Sequence, residues 1–75
     1  MIFTGDTALL GQKGYDTDST YEYFCKTIKN NKTNTKTTCC VNIYTKRVSF
    51  VGDERNKAFF LNELKGYLKE DQNEC

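Results

Sequence analysis

The chain has 75 residues, 37% hydrophobic and 28% charged, with a formal net charge of +1. That is one small domain over residues 1–75, too short for a barrel or a dinucleotide-binding scaffold. The absence of histidine excludes a His-based general base, a catalytic triad and any His-bearing metal site.

Ile2-Phe3 reads as a short strand, Gly5-Asp6 as a turn, and Thr7 to Leu10 as a second short strand. Gly11, Gly14 and the Asp/Thr/Ser run to Thr20 read as loop. Thr20 to Ile28, rich in Tyr, Phe, Thr and Ile, has strand composition. The wholly polar stretch 29–36 makes a hairpin loop to a second strand, Thr37 to Thr45. A tight turn near Thr45-Lys46 leads into a third strand, Arg47 to Val51. The apolar parity changes there, from Val41 and Ile43 to Val48 and Phe50, as a turn or bulge requires.

Asp53 is a good N-cap, and its charge with that of Glu54 suits the positive end of a helix. At 100° per residue, Phe60, Leu61, Leu64, Tyr67 and Leu68 fall in a stripe about 120° wide, while Phe59 lies off it. The helix is expected to fade near Glu70, with Gly66 pointing away from the core in no special role. The fold class is therefore α+β, a small antiparallel meander of three or more strands covered by one C-terminal helix.

A chain this short buries only about 60% of the surface its unfolded form exposes. Disulfide stapling by Cys25, Cys39, Cys40 and Cys75 is expected to supplement that marginal core. Folding the hairpin brings Cys25 opposite Cys40 or Cys39. The favoured register pairs Cys25 with Cys40, which puts Phe24 and Ile28 on the face of Val41 and Ile43. Cys39 then faces the core, where the tail could bring Cys75. The competing register pairs Cys25 with Cys39. In the chain-entropy model Cys25–Cys40 contributes ~3 kcal/mol and Cys39–Cys75 nearer ~4. This framework, with the sequon Asn31-Lys32-Thr33, points to a secreted protein. Reduced thiols in a cytoplasmic protein are the other reading. A four-cysteine zinc site lacks its usual closely spaced Cys pairs.

Charge is segregated. Lys26, Lys29, Lys32, Lys36, Lys46 and Arg47 stand against Glu22 alone in residues 20–50, while both ends carry a mild acidic excess. These bases either meet an acidic partner or blunt exposed strand edges. Asp16-Thr17-Asp18-Ser19-Thr20 spells D-x-D-x-T, but no apolar strand precedes it and no large α/β domain surrounds it. As a calcium loop it lacks the sixth-position glycine and twelfth-position glutamate, so it reads as a solvated turn.

No catalytic, metal or cofactor site is legible, and no stretch is apolar enough to span a membrane. Met1-Ile2-Phe3 opens no signal peptide. The reading is a small non-enzymatic binder, a secreted modulator or inhibitor of a host or partner protein. Tyr21, Tyr23 and Tyr44, with Lys46 and Arg47, are the expected contact face, because tyrosine with arginine is the composition of interface hot spots. The alternative is an intracellular protein, such as a viral one, whose basic hairpin binds nucleic acid or blocks a nucleic-acid-binding enzyme.

Overall fold

The β-rich middle of the chain folds as its composition dictates, and both ends depart from local expectation. The computed structural model describes residues 1–70. In chain order the elements are β1 (Ile2–Phe3), α1 (Thr7–Gln12), β2 (Asp16–Thr17), β3 (Tyr23–Asn30), β4 (Thr35–Asn42) and β5 (Val48–Gly52). A 3₁₀ turn (Glu54–Asn56), α2 (Lys57–Glu63) and β6 (Leu68–Lys69) follow. Strands β2-β3-β4-β5 form one antiparallel sheet, and β1 pairs with β6 in a second.

The β3–β4 register sets Cys25 opposite Cys40 and Phe24 opposite Val41, the favoured pairing. The strands run further into the polar stretch than expected, leaving only residues 31–34 as the turn. Asn34 takes a left-handed φ of 53° there. Beyond Asn42 the chain turns, and the change of apolar parity into β5 holds.

Thr7 to Leu10 is helix, not strand. The Asp6 side chain accepts from the Ala8 N–H at 3.0 Å, an N-cap, and Ala8, Leu9 and Leu10 are strong helix formers. Helix α2 also differs from expectation, since it ends at Glu63 rather than near Glu70. Gly66, assigned no role from sequence, adopts a φ of +91° and reverses the chain, with the Tyr67 N–H donating to the Leu64 carbonyl at 2.9 Å. The chain then returns as β6 beside β1. Two helices and a second small sheet thus replace the single covering helix.

The buried core consists of Phe3, Leu10, Tyr15, Cys39, Val41, Phe60 and Leu64. Leu10 from α1, Phe60 from α2 and Leu64 at its C-cap join Cys39 and Val41 in the core, so both helices pack on one face of the large sheet. Strand β1 ties the two sheets together: Phe3 N–H donates to the Lys46 carbonyl at 2.8 Å, and Val48 N–H to the Met1 carbonyl at 2.9 Å.

The expected stapling is not seen. Cys25, Cys39 and Cys40 are free thiols. Cys25 and Cys40 stand 2.8 Å apart at their sulfurs as a hydrogen-bonded pair. The proposed Cys39–Cys75 bridge lies outside the described residues. Phe3 and Leu10, from elements the sequence reading left out of the core, supply part of the burial that stapling was expected to replace.

Candidate binding surface

Alternation along the strands divides the sheet residues. Phe24, Ile28, Val48 and Phe50 pack with the core, whereas Cys25, Thr27, Thr38, Cys40, Ser49 and Val51 point the other way. Thr27 and Thr38 share a hydroxyl hydrogen bond of 2.7 Å on that second face, and Val51 is 66% exposed. No helix of the described residues joins the core from that side, where Thr27, Ser49 and Val51 are exposed.

One end of the hairpin carries the tyrosines. The Ile43 N–H donates to the Glu22 carbonyl at 2.8 Å, one step past the last ladder pair, Tyr23 with Asn42; Tyr21, with a left-handed φ of 57°, and Tyr44 lie just beyond that bond. Each sits beside a turn closed by its own side-chain cap. The Asn42 side chain accepts from Tyr44 N–H at 2.8 Å and Thr45 N–H at 2.9 Å. Asp18 accepts from Glu22 and Tyr23 N–H groups and from the Thr20 hydroxyl. Desolvation raises the Asp18 pKa, but these bonds outweigh it and hold the group below its ordinary value. The D-x-D-x-T stretch thus starts as strand β2 at Asp16-Thr17 and becomes a turn capped by the Asp18 carboxylate. Tyr21 and Tyr44 are 69% and 77% exposed, while Tyr23 is half-buried.

The cations expected beside them part company. Lys46 has a φ of 61° and donates its ammonium to the Gly5 carbonyl at 3.0 Å, so it locks β1 to the turn rather than facing outward. Arg47 is exposed, pairs with Ile2 in an isolated bridge, and accepts the Asn42 N–H at its carbonyl. Tyr44 also departs from expectation, standing in the turn past β4 rather than within the strand.

The core face holds a polar group that composition did not reveal. The Lys26 ammonium donates to Glu63 at 2.8 Å and to the Lys13 carbonyl at 3.0 Å, and lies 5.6 Å from the ring centres of Tyr15 and Phe59. Tyr15 Oη and the other Glu63 oxygen are buried without a well-aligned partner. Burial first, then Cys39 and Glu63, push the Tyr15 hydroxyl far above its ordinary range. Burial likewise pushes the Cys39 thiol up to about 11, against a lowering hydrogen bond with Tyr15. Both shifts hold Tyr15 and Cys39 in their neutral forms beside the partly exposed Lys26–Glu63 ion pair.

Sequence reasoning also missed a groove of about 600 Å³ between the turn end of the β3–β4 hairpin and the start of α2, lined by Ile28, Lys29, Lys32, Arg55, Asn56 and Phe59. Asn56 builds it. Its buried amide donates to the Thr35 and Thr37 hydroxyls and accepts from Asn30, pinning the 3₁₀ turn to the hairpin. Phe59, off the apolar stripe and 49% exposed, was the one signal available beforehand.

Among the described residues no cluster of three or more His, Cys, Asp or Glu could hold a metal ion, and no helix is long and apolar enough to cross a membrane. No protein-family model matches the chain, and neither the curated proteins nor the solved structures contain a match to it.

Proposed function

We propose that the protein is a small non-enzymatic binding module that engages a partner protein through the tyrosine-bearing end of its sheet. The observation that carries this reading is a pair of largely exposed tyrosines, Tyr21 and Tyr44, flanking the Glu22–Ile43 hydrogen bond at the end of the hairpin. Tyrosine brings a large, rigid contact area with a polar tip, which is why it is enriched among interface anchors. Tyr23 and Arg47 border the patch.

On this reading the protein acts outside the cell as a modulator or inhibitor of its partner, and Cys25–Cys40 closes there to a disulfide. The Glu22–Ile43 bond makes that pair hydrogen-bonded, so alternation makes Cys25–Cys40 a non-hydrogen-bonded pair, the closer of the two kinds. Each thiol gives up its hydrogen to glutathione disulfide, which leaves as two glutathione thiols. Intact mass of the native protein, alkylated with and without reduction, tests the bridge. Two labels gained at Cys25 and Cys40 only after reduction are expected; labelling of both before reduction overturns it.

The interface is tested with a Tyr21→Ala/Tyr44→Ala variant against the partner captured from the fluid bathing the source cells. Two anchor tyrosines at ~1–2 kcal/mol each predict a loss of affinity of about 30-fold or more. Unchanged affinity in a folded variant removes the reading.

One observation favours the nucleic-acid alternative: Lys29 and Lys36 stand directly opposite each other across the hairpin. Phosphate contacts at such a pair make affinity fall steeply with salt, whereas an aromatic protein interface changes little.

A further inference from the structure

We propose that the edge of β3 from Thr27 to Asn30 takes an extended acidic segment of a partner protein as an added strand. Strand β2 covers β3 only at Phe24 and Cys25. From Lys26 to Asn30, β3 has a strand neighbour on the β4 side alone among the described residues. The hydrogen-bonded pair at Glu22–Ile43 sets the phase of the ladder: Ile28 and Asn30 turn their backbone groups to β4, and Thr27 and Lys29 turn theirs to the open edge. That edge offers alternating N–H and C=O groups, the template used when a peptide adds to a sheet.

The groove runs beside this edge. Ile28 and Phe59 supply apolar surface, and Lys29, Lys32 and Arg55 supply positive charge. The Asp53 carboxylate takes the Arg55 Nε and Nη2, which offsets part of that charge. Lys36 sits across from Lys29 on the closely spaced kind of pair, where like charges destabilise the ladder. Acidic side chains on the incoming strand relieve that repulsion while its apolar side chains meet Phe59 and Ile28.

The chemistry separates this occupant from two others. A phosphodiester backbone brings acceptors only and leaves the outward carbonyls of Thr27 and Lys29 unanswered. A second copy joined edge to edge sets Lys29 and Lys32 against their own symmetry mates. The site lies at the opposite end of the hairpin from Tyr21 and Tyr44, about 23 Å along β3 at ~3.3 Å per residue, so it stands apart from the tyrosine interface.

The test is selection of a displayed library of random eight-residue peptides on the whole protein, followed by synthesis of the enriched sequence. Enrichment of alternating acidic and apolar residues is expected, with amide exchange slowed at Thr27 and Lys29 in the complex. Lys29→Glu/Lys32→Glu should weaken binding at least tenfold. Thr27→Pro should do the same, because it removes a donor that faces away from β4. Should Thr27→Pro fail to fold, N-methylation of alternate peptide residues tests the same bonds from the other side. Tyr21→Ala/Tyr44→Ala should leave this affinity unchanged, which separates the outcome from that of the tyrosine interface. The proposal is overturned if no acidic sequence is enriched, or if binders ignore both Lys29→Glu/Lys32→Glu and backbone blocking. It is equally overturned if oligothymidylate binds with the same lysine dependence and no amide protection, or if Thr27→Pro dissolves a dimer of the chain.

Discussion

Replacing Gly52 with alanine tests the joint that sets the last helix against the sheet. Gly52 ends β5 opposite Thr37 with a φ of +114°. A methyl group there would overlap the Lys36 carbonyl oxygen and stand 3.0 Å from the Thr37 Cα. Both are backbone atoms, and both are held. Asp53 N–H donates to the same Lys36 carbonyl at 3.1 Å, and the Thr37 hydroxyl donates to the Asp53 carbonyl. Left-handed strain costs ~1–2 kcal/mol, and displacing packed backbone adds ~1–3, for a total of about 2–5. A 75-residue domain has a whole stability of only about 4–11 kcal/mol at ~0.05–0.15 per residue, so the change takes a large share of it. Gly66→Ala is the matched control. Its φ is +91° but nothing lies within 4 Å of the added methyl, so only the strain of ~1–2 kcal/mol remains. Urea unfolding followed by far-ultraviolet circular dichroism, with slopes compared between variants, measures both. A Gly52→Ala cost no larger than that of Gly66→Ala would refute the reasoning.

Two further predictions concern titration. The Cys39 pKa is raised to about 11 in the fold against ~8.5 in the unfolded chain, so its contribution to stability is complete below ~8.5 and is lost as pH rises through the folded value. In a Cys25→Ser/Cys40→Ser background, urea stability should fall from pH 8.5 to 9.5, and Cys39→Ala should flatten that limb; a slope that persists in Cys39→Ala assigns it elsewhere. Asp53 shifts the other way. Side-chain and backbone hydrogen bonds from Arg55 lower it to about 2, so its contribution is complete above ~3.9 and is lost as pH falls toward 2. Asp53→Asn should remove part of the acid sensitivity between those values, and an acid limb identical to wild type would contradict the Asp53–Arg55 geometry.

The strands β3, β4 and β5 were legible because each is marked by its own residues. Aromatic and β-branched side chains favour extended backbone, and the shift from Val41 to Val48 and Phe50 announced the turn between two of them. The Cys25–Cys40 register followed from placing Phe24 and Ile28 over Val41, since a slip of one residue turns a whole strand inside out. Phe60 in α2 and Leu64 at its C-cap were legible as buried members of the apolar stripe. The candidate site was half legible. Tyr21 and Tyr44 were named from composition, but Lys46 was withdrawn from the surface by the Gly5 carbonyl, 41 residues away in sequence.

Where α2 stops was decided by tertiary structure. Leu68 fits the helical stripe as well as Leu64 does, yet it pairs with Phe3 from the other end of the chain. Helical periodicity counts only neighbours along the chain and is blind to such a partner. The groove beside β3 has the same origin, because Lys29 and Phe59 share a wall only after Asn56 has bound Asn30, Thr35 and Thr37. Local pattern therefore determined the middle strands β3, β4 and β5 and which face each one buries. Contacts between distant segments decided where the elements end and which side chains meet, because those choices depend on distances that exist only once the chain has folded.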